Sequence, residues 1–191
     1  NGFVGGALYE GFSPFVDVLV YDILDSKRLN TYDEVISCDF IFVCLPTPMI
    51  DVEGGSCNLS IIENFFTSLP SNVNGILIIK STVPIGTTER LSNEYKHLKI
   101  IHNPEFLTAV NAAEDFLKAD RHILGGDVSH TRVVKTLYDA CFPQTPVCLL
   151  SSKESESVKY FSNCFLASKL MIFNEFKLLM ETLDIDYDNV L

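Results

Sequence analysis

Two features near the start of the chain could together bind a dinucleotide. The chain opens Asn1-Gly2-Phe3-Val4-Gly5, which matches the last part of G-x-G-x-x-G, the turn that brings a backbone close to a pyrophosphate at a helix N-terminus. Alone, this fragment fits a flexible glycine-rich start equally well. An apolar run at 16–21 then ends in Asp22, 20 residues after Gly2. An acid there accepts hydrogen bonds from an adenosine ribose and repels a 2′-phosphate, so the two features favour NAD over NADP. The alternative is that Asp22 is a residue of a surface turn.

A lysine and an asparagine on one predicted helix form a second candidate pair. Lys159 and Asn163 lie four positions apart within residues 157–176, a stretch that is apolar on almost every side. Four residues make about one helical turn, so both side chains are expected to point the same way, into protein. Burying an ammonium group without a partner is costly, so this placement needs a reason. The plainer alternative is that Lys159 reaches solvent along its packed stem while Asn163 bonds a neighbouring loop.

Two polar loops carry hydroxyl groups directly after apolar runs. Residues 44–48 read CLPTP and include Thr47, whereas residues 80–88 read KSTVPIGTT and include Thr82. Open α/β sheets bind ligands at the carboxyl ends of their strands. A single loop of this kind is explained by caps and turns, but two of them after successive strands predict a lined cleft.

A sheet covered by helices on both faces is the framework that the apolar pattern predicts for these residues. Strands are predicted where residues are apolar on consecutive positions, at 16–21, 40–45, 76–79, 99–102, 122–124 and 147–150. Helical spacing occurs between most of them, at 3–11, 59–68, 87–95, 107–117 and 130–140. The alternation predicts an α/β fold, Rossmann-like and doubly wound, with a mainly parallel sheet followed by a long helix.

The long helix is expected to begin after Ser151-Ser152, which can cap it. Residues 153–183 contain no Gly or Pro, and at 1.5 Å per residue they would extend for roughly 45 Å. We therefore expect a cofactor domain at 1–150, whose first strand lies upstream of Asn1, and a central helix with the start of a dimerisation or substrate region at 151–191. The apolar outer faces of this helix predict burial against a second domain or a partner subunit, through Phe161, Phe165, Ile172, Phe173 and Phe176.

The composition argues against several other classes of protein. The 191 residues carry 14 Lys and Arg against 25 Asp and Glu, a net charge of −11, so nucleic-acid binding lacks its electrostatic basis. No apolar run approaches the roughly 18 residues of a membrane span, so no membrane partner is expected. The six cysteines show no C-x-x-C pair and no histidine at metal-ligand spacing. This usage predicts a reduced, cytoplasmic protein without a metal site.

Longer motifs resemble the UDP-glucose/GDP-mannose dehydrogenase family. They are NGFVG, PTP, KSTVPIGTT, NPEFL, DR before ILGG, and the helix pattern E-x-x-K-x-x-x-N-x-F-x-A-x-K-x-x-x-x-N-E, in that order from Gly2 to Glu175. NPEFL and the Lys/Asn helix are the distinctive parts. The resemblance implies a homodimeric enzyme of polysaccharide biosynthesis that oxidises the C6 hydroxymethyl of a UDP-glucose-like nucleotide sugar to a carboxylate. Such an enzyme uses two NAD and passes through an aldehyde and a cysteine-bound thioester.

The resemblance also implies roles for single positions. The dinucleotide would be held by Gly2, Phe3, Val4, Gly5 and Asp22, with Lys27 near the adenosine ribose and Thr47 and Thr82 on the nicotinamide side. Catalysis would involve Thr82, Glu105, Lys159 and Asn163, and substrate binding Glu105, Phe106, Leu107, Lys159 and Asn163. In this reading Lys159 and Asn163 stabilise negative charge that develops on the C6 oxygen in a site without water.

Three departures from the family pattern bear on activity. The family's nucleophilic cysteine lies in a G-G-x-C-x-P-K-D stretch downstream of the long helix, and no such stretch occurs here. The chain is therefore expected to be the N-terminal part of a longer protein, or a remnant that cannot form the thioester. Ala109 stands where many relatives have a second glutamate, which affects thioester hydrolysis. About 17 residues separate Asp22 from Phe40, a shorter connection than usual.

Two functions of other classes stay open at this point. A non-catalytic or regulatory module would bind NAD and never reduce it, and a G-x-C-x-P-K-D motif beyond Leu191 would argue against it. A 2-hydroxyacid or 6-phosphogluconate-type dehydrogenase on the same cofactor fold would lack NPEFL and would turn over without any cysteine.

Overall fold

The computed structural model describes residues 2–50, 55–108 and 110–191. The α-helices are α1 (Phe3–Phe12), α2 (Tyr32–Ile36), α3 (Ser60–Ser68), α4 (Thr87–Glu94), α5 (Ala112–Leu117), α6 (Val128–Cys141) and α7 (Ser152–Thr182). The strands are β1 (Phe40–Val43), β2 (Ile76–Ile79), β3 (Lys99–His102), β4 (His122–Gly126) and β5 (Val147–Leu150). Short 3-10 helices occur at Asp25–Lys27 and Tyr187–Asn189.

The strands form one sheet in the order β1-β2-β3-β4-β5. β1, β2 and β3 pair in parallel, so their carboxyl ends meet at one edge. β4 pairs antiparallel with β3, and β5 pairs in parallel with β4. The predicted α/β, Rossmann-like fold with a mainly parallel sheet and a following long helix is confirmed. Its shared edge is continued by the segments that begin at Cys44, Lys80 and Asn103.

Both faces of the sheet are covered, as a central strand with four consecutive apolar residues requires. On β2, Ile76 and Ile78 face a core that includes side chains of α1, α5 and α6. Leu77 and Ile79 face a second core with side chains of α3 and α4. Full burial of each such side chain contributes about 1.5–3 kcal/mol, so β2 ties the two layers together.

Two predicted elements differ in the structure. Residues 16–21 do not form a strand, because a strand needs a hydrogen-bonded neighbour and the sheet described by the structure runs only from β1 to β5. The helix predicted at 107–117 begins at Ala112. Thr108 precedes it in a loop that folds back, since its backbone N–H and its hydroxyl both donate to Asp115 Oδ2, at 2.7 and 2.6 Å.

The chain divides into two compact units, Asn1–Ser157 and Val158–Leu191. The first two turns of α7 belong to the first unit, so the boundary lies inside the helix. The domain boundary predicted at 150 stays a prediction. The second unit consists of the rest of α7 and the Tyr187–Asn189 turn, whose Tyr187 hydroxyl donates to the Phe173 carbonyl at 3.2 Å. Among the described residues, no helix is both long and apolar enough to cross a membrane.

Candidate functional site

The loops after β1 and β2 are joined at the carboxyl edge of the sheet. Thr47 Oγ1 donates to the Thr82 carbonyl at 2.7 Å. Ser81 Oγ donates to the Leu45 carbonyl at 2.6 Å and accepts from the Leu45 N–H at 3.1 Å. The structure therefore brings the two predicted threonines into direct contact, with both side chains half-buried.

The N-terminus of α1 lies beside the start of the loop after β1. Gly2 is its N-cap, in an extended conformation, and no side chain of the described residues caps it. A Cβ built on Gly2 would meet no atom within 4 Å, whereas one on Gly5 would lie 4.0 Å from Cys44 Cβ. The first N–H groups of α1, at Phe3 and Val4, thus begin the helix at an open surface. An uncapped helix N-terminus with open space before it fits the pyrophosphate of a dinucleotide.

Asp22 and Lys27 lie on the turn that follows residues 16–21. Asp22 Oδ1 accepts from the Leu24 N–H at 2.9 Å, and Lys27 ends the short 3-10 helix in an exposed position. Arg28, which was not predicted as a site residue, lies beside this turn. Its Nε donates to the Asp22 carbonyl at 2.9 Å, and its guanidinium lies 4.7 Å from the centroid of the Tyr21 ring. A basic residue a few positions after an aromatic residue at the end of the 16–21 run was the available signal. Arg28 fixes the backbone from which the Asp22 carboxylate projects.

The loop after β3 carries the three predicted substrate residues. Glu105 Oε2 accepts from the Leu107 N–H at 2.7 Å, which closes a tight turn. Leu107 packs against the core that contains α1, α5 and α6, and Phe106 is exposed. The Asn103 N–H donates to the Ile79 carbonyl at 2.8 Å, so this loop starts at the same edge as the two threonine loops.

A buried polar network that the sequence analysis missed lies beneath this loop. Lys80 is 4% exposed, and its Nζ donates to Asn103 Oδ1 at 2.9 Å and to the Pro104 carbonyl at 3.4 Å. The Tyr138 hydroxyl donates to the same Oδ1 at 2.6 Å, and Asn103 Nδ2 donates to the Ile123 carbonyl at 2.7 Å. Burial raises the pKa of Tyr138, so its hydroxyl keeps the proton that it donates. A lysine directly after a wholly buried strand was the signal for this network.

Two titratable groups near this network are held neutral. Burial, with the charge of Lys80, lowers the pKa of His122 to about 4. Its ring packs against Tyr138 at a centroid distance of 4.4 Å, and its Nε2 has no hydrogen-bond partner among the described residues. Burial of the Cys44 thiol raises its pKa to about 11. A thiol of that pKa is protonated at neutral pH, so Cys44 is unsuited to act as the nucleophile.

The two donors on α7 differ in exposure. Lys159 is 6% exposed, which rules out the alternative that it extends into solvent, but Asn163 is exposed. Asn163 is therefore not buried within this chain, and the pairing of the two donors at one site stays a prediction. Every residue of α7 from Asn163 to Leu179 is exposed, so the exposure of Asn163 is shared by all sides of the helix in that stretch.

The first two turns of α7 are attached to the first unit by a buried carboxylate. Glu156 is 0% exposed, and its two oxygens accept from the N–H groups of Gly86, at 2.5 Å, and Thr88, at 2.8 Å. Ser155 Oγ and His102 Nδ1 form a second buried hydrogen bond at 2.8 Å. Glu156 is the first residue of the helix motif E-x-x-K-x-x-x-N, but the sequence indicates no role for it, because only the fold shows what it contacts.

Two shallow cavities, of about 400 and 430 Å³, both contact His130. The first is lined in part by Thr88 and Ser152, and neither lining includes Thr47, Thr82 or Glu105. The second borders the amino ends of β1, β2 and β3, at Phe40, Ile76 and Lys99. Within the described parts of the chain, no group of three His, Cys, Asp or Glu side chains could hold a metal ion, and all six cysteines are free thiols. Asn1 and Ala109, which the sequence analysis singled out, lie outside the described residues.

Comparison with known proteins gives a consistent picture over both parts of the chain. Residues 11–142 match the NAD binding domain of the UDP-glucose/GDP-mannose dehydrogenase family, and residues 153–191 match the central domain of the same family. The predicted family and the predicted cofactor, NAD, are confirmed. Gly2 to Gly5 precede the matched range, so their role stays a prediction.

Individual relatives agree with this match. The UDP-glucose 6-dehydrogenase of Rhizobium meliloti (strain 1021) is 31% identical over an alignment 195 residues long, which covers 94% of this chain and 44% of that protein. The structure of a UDP-glucose dehydrogenase from Pyrobaculum islandicum superposes with a TM-score of 0.83 at 28% identity, over 99% of this chain and 53% of that chain. A GDP-mannose dehydrogenase from Pseudomonas aeruginosa shares the fold. It is 18% identical and superposes with a TM-score of 0.83, over 99% of this chain and 53% of that chain.

The chain spans about half the length of these relatives. The profile of the NAD binding domain alone covers more than half of this chain, and the profile of the central domain follows it in the order that the long helix predicts. The chain therefore belongs to the UDP-glucose/GDP-mannose dehydrogenase family.

Proposed function

We propose that this chain supplies the cofactor half of an NAD-dependent dehydrogenase that oxidises the C6 hydroxymethyl of a UDP-glucose-like nucleotide sugar to a carboxylate. The observation that supports this most is the meeting of three loops at one edge of the sheet. Thr47 and Thr82 are in contact there, and Glu105 lies on the neighbouring loop. The uncapped N-terminus of α1 borders the same edge, where α/β sheets bind ligands.

Cofactor binding in this proposal uses groups of the first unit. The N–H groups of Gly2, Phe3, Val4 and Gly5 would receive the pyrophosphate at the positive end of α1. The Asp22 carboxylate would accept from the adenosine ribose, with Lys27 nearby, and Thr47 and Thr82 would border the nicotinamide. When bound, NAD supplies the hydride acceptor.

The chemical step needs a base and a stabilised oxygen. The C6 alcohol gives up a proton from oxygen and a hydride from carbon, and an aldehyde results. The Glu105 carboxylate, near the reacting carbon, would accept the proton, with Phe106 and Leu107 presenting backbone to the sugar. Lys159 would donate to the oxygen as negative charge develops, because an ammonium group shielded from water stabilises such charge strongly. Asn163, which is exposed in this chain, would join it where another part of the protein covers α7.

The second oxidation requires a nucleophile that none of the six cysteines here supplies. The family motif for that cysteine does not occur among the 191 residues, and Cys44 is protonated at neutral pH. We propose that the nucleophile lies in a part of the natural protein outside these residues. A homodimer is part of the same proposal, since Phe161, Phe165 and Phe176 on α7 are exposed apolar side chains. A cytoplasmic location and a role in polysaccharide biosynthesis complete it.

NADH formation by the natural full-length protein tests this function. The substrates are a panel of UDP-sugars and GDP-sugars, with a 2-hydroxyacid and 6-phosphogluconate as comparisons. We expect two NADH for each molecule of one nucleotide sugar. NAD binding without turnover of any substrate would favour a non-catalytic module, and turnover of a 2-hydroxyacid alone would refute the proposal.

Lys159→Ala tests the proposed charge stabilisation in the same assay, with Lys177→Ala as the control on an exposed part of the same helix. Loss of one preorganised donor costs about 100- to 1,000-fold in kcat, so we expect a loss of this size for Lys159→Ala and less than a twofold change for the control. Equal activity of the two variants would remove Lys159 from the mechanism.

A further inference from the structure

Lys80 occupies a position where its charge is expensive and its contacts are specific. It directly follows β2, and its backbone N–H donates to the Val43 carbonyl at 3.0 Å, so its backbone continues the ladder between β1 and β2. At 4% exposure the ammonium group is removed from solvent. An apolar side chain of similar length would avoid the cost of burying a charge. The contacts of the ammonium group therefore indicate what the lysine does.

The Lys80 ammonium fixes the orientation of the Asn103 amide. An ammonium group only donates hydrogen bonds, so the Asn103 atom that faces it at 2.9 Å must be the oxygen. The Tyr138 hydroxyl donates to the same oxygen at 2.6 Å, which leaves Nδ2 to donate to the Ile123 carbonyl at 2.7 Å. With its own N–H bonded to Ile79, Asn103 is held by β2, β4 and α6 at once.

The same ammonium group also contacts the next residue of the loop. Lys80 Nζ donates to the Pro104 carbonyl at 3.4 Å, and that carbonyl belongs to the peptide group that leads into Glu105. Proline fixes its own φ angle near −65°, so holding its carbonyl sets the direction in which the chain leaves it. The direction of the Glu105 turn is thus determined one residue before the carboxylate.

We propose that Lys80 is a positioning residue, whose buried ammonium sets the geometry of the loop that presents Glu105 to the substrate. Because Lys80 is buried beneath the loop, it acts through Asn103 and Pro104 rather than on the substrate. An effect of Lys80 on catalysis rests on the proposed function, since it requires Glu105 to lie near the reacting carbon. An effect of Lys80 on the geometry of the loop does not require the proposed function.

Hydrogen exchange and kinetics of the natural full-length protein test the two consequences separately. In Lys80→Met, we expect the amides of Glu105 to Thr108 to exchange about tenfold faster, while those of α6 and β5 change less than twofold. With the nucleotide sugar as substrate, we expect kcat to fall about 100-fold, with less than a twofold change in the KM for NAD. Lys99→Met is the control, since Lys99 is an exposed lysine on β3 that donates to the Asn74 carbonyl.

A second variant covers the case in which Lys80→Met does not fold. Tyr138→Phe removes one donor from Asn103 Oδ1 and keeps the ring in the core, and we expect about threefold faster exchange confined to the same four amides. Unchanged exchange in that loop overturns the proposal, and so does faster exchange spread evenly over the first unit, which marks a general loss of stability. A local change in exchange with an unaltered kcat overturns the catalytic consequence. If the natural protein turns over no nucleotide sugar, the proposed function fails while the exchange result still decides the role of Lys80 in the loop.

Discussion

Replacing Glu156 by alanine would remove the carboxylate that joins the start of α7 to α4. The N-cap of α4 is Gly86, which adopts φ = +95° and has no side chain with which to cap the helix. Glu156 supplies that cap from a distant part of the chain, through the N–H groups of Gly86 and Thr88. A helix N-terminus favours a negative charge, so a carboxylate suits this position better than a neutral acceptor would.

The size of the effect follows from the two N–H groups that alanine would leave without an acceptor. Each buried, unsatisfied group costs about 1–3 kcal/mol, so we expect Glu156→Ala to lower the free energy of unfolding by about 4 kcal/mol. For a domain of about 150–250 residues this lowers Tm by about 8–16 °C. Glu156→Gln keeps one acceptor oxygen, but the amide NH₂ group of the glutamine would face the second backbone N–H group. We therefore expect Glu156→Gln to lower the free energy of unfolding by about 2 kcal/mol.

Urea unfolding followed by circular dichroism measures these losses in the natural full-length protein. The control is Glu154→Ala, two residues earlier on the same helix, because the Glu154 carboxylate is exposed and accepts from the Ser151 N–H at 2.8 Å. An exposed cap of this kind contributes about 1 kcal/mol or less. If Glu156→Ala and Glu154→Ala differ by less than about 1 kcal/mol, the argument for a buried cap is wrong.

Two further predictions concern the interior of the first unit. Folding lowers the pKa of His122 to about 4, so the folded protein has its full stability above about pH 6.5 and loses about 3 kcal/mol as the pH falls to 4. Urea midpoints at both pH values should show this loss in the wild type and in the exposed control His97→Gln. The loss should be smaller in His122→Phe. A Cβ on Gly125 would lie 2.2 Å from the Ser155 Cβ, so Gly125→Ala should lower the free energy of unfolding by about 3 kcal/mol. The matched control is Gly5→Ala in α1, where the added Cβ would lie 4.0 Å from the Cys44 Cβ, an ordinary contact without a clash. It should raise the free energy of unfolding by about 0.5–1 kcal/mol, and two losses of equal size would contradict this account of the close contact.

The sheet could be predicted wherever burial alone decides the structure. β2, β3 and β5 have the bounds that their apolar runs predict. β2 is buried throughout, as a strand covered on both faces requires, whereas β5 is half-buried. The reversed direction of β4 could not be predicted, since an apolar run looks the same in both directions. Residues 16–21 have the composition of a strand, but strand formation depends on a neighbour that composition does not specify.

The candidate site could be predicted only in part, for a similar reason. Thr47 and Thr82 were expected to lie close together because each follows a strand, and parallel strands end at a common edge. Lys80 and Glu156 were missed because a charged residue in a sequence looks solvent-exposed until its partners are known. The spacing of Lys159 and Asn163 gives the angle between them around the helix, and it does not give the extent of the surface that covers either side chain.

The buried charges and the sequence motifs coincide, and this coincidence says more than either alone. Among the described residues, the buried Lys, Arg, Asp and Glu side chains are Lys80, Glu156 and Lys159. All three lie in the motifs KSTVPIGTT and E-x-x-K-x-x-x-N. A buried charge is weak evidence for stability, since apolar side chains of the same volume often serve as well. Selection for stability alone would not concentrate such charges in two motifs, whereas a requirement for fixed local geometry in those motifs would.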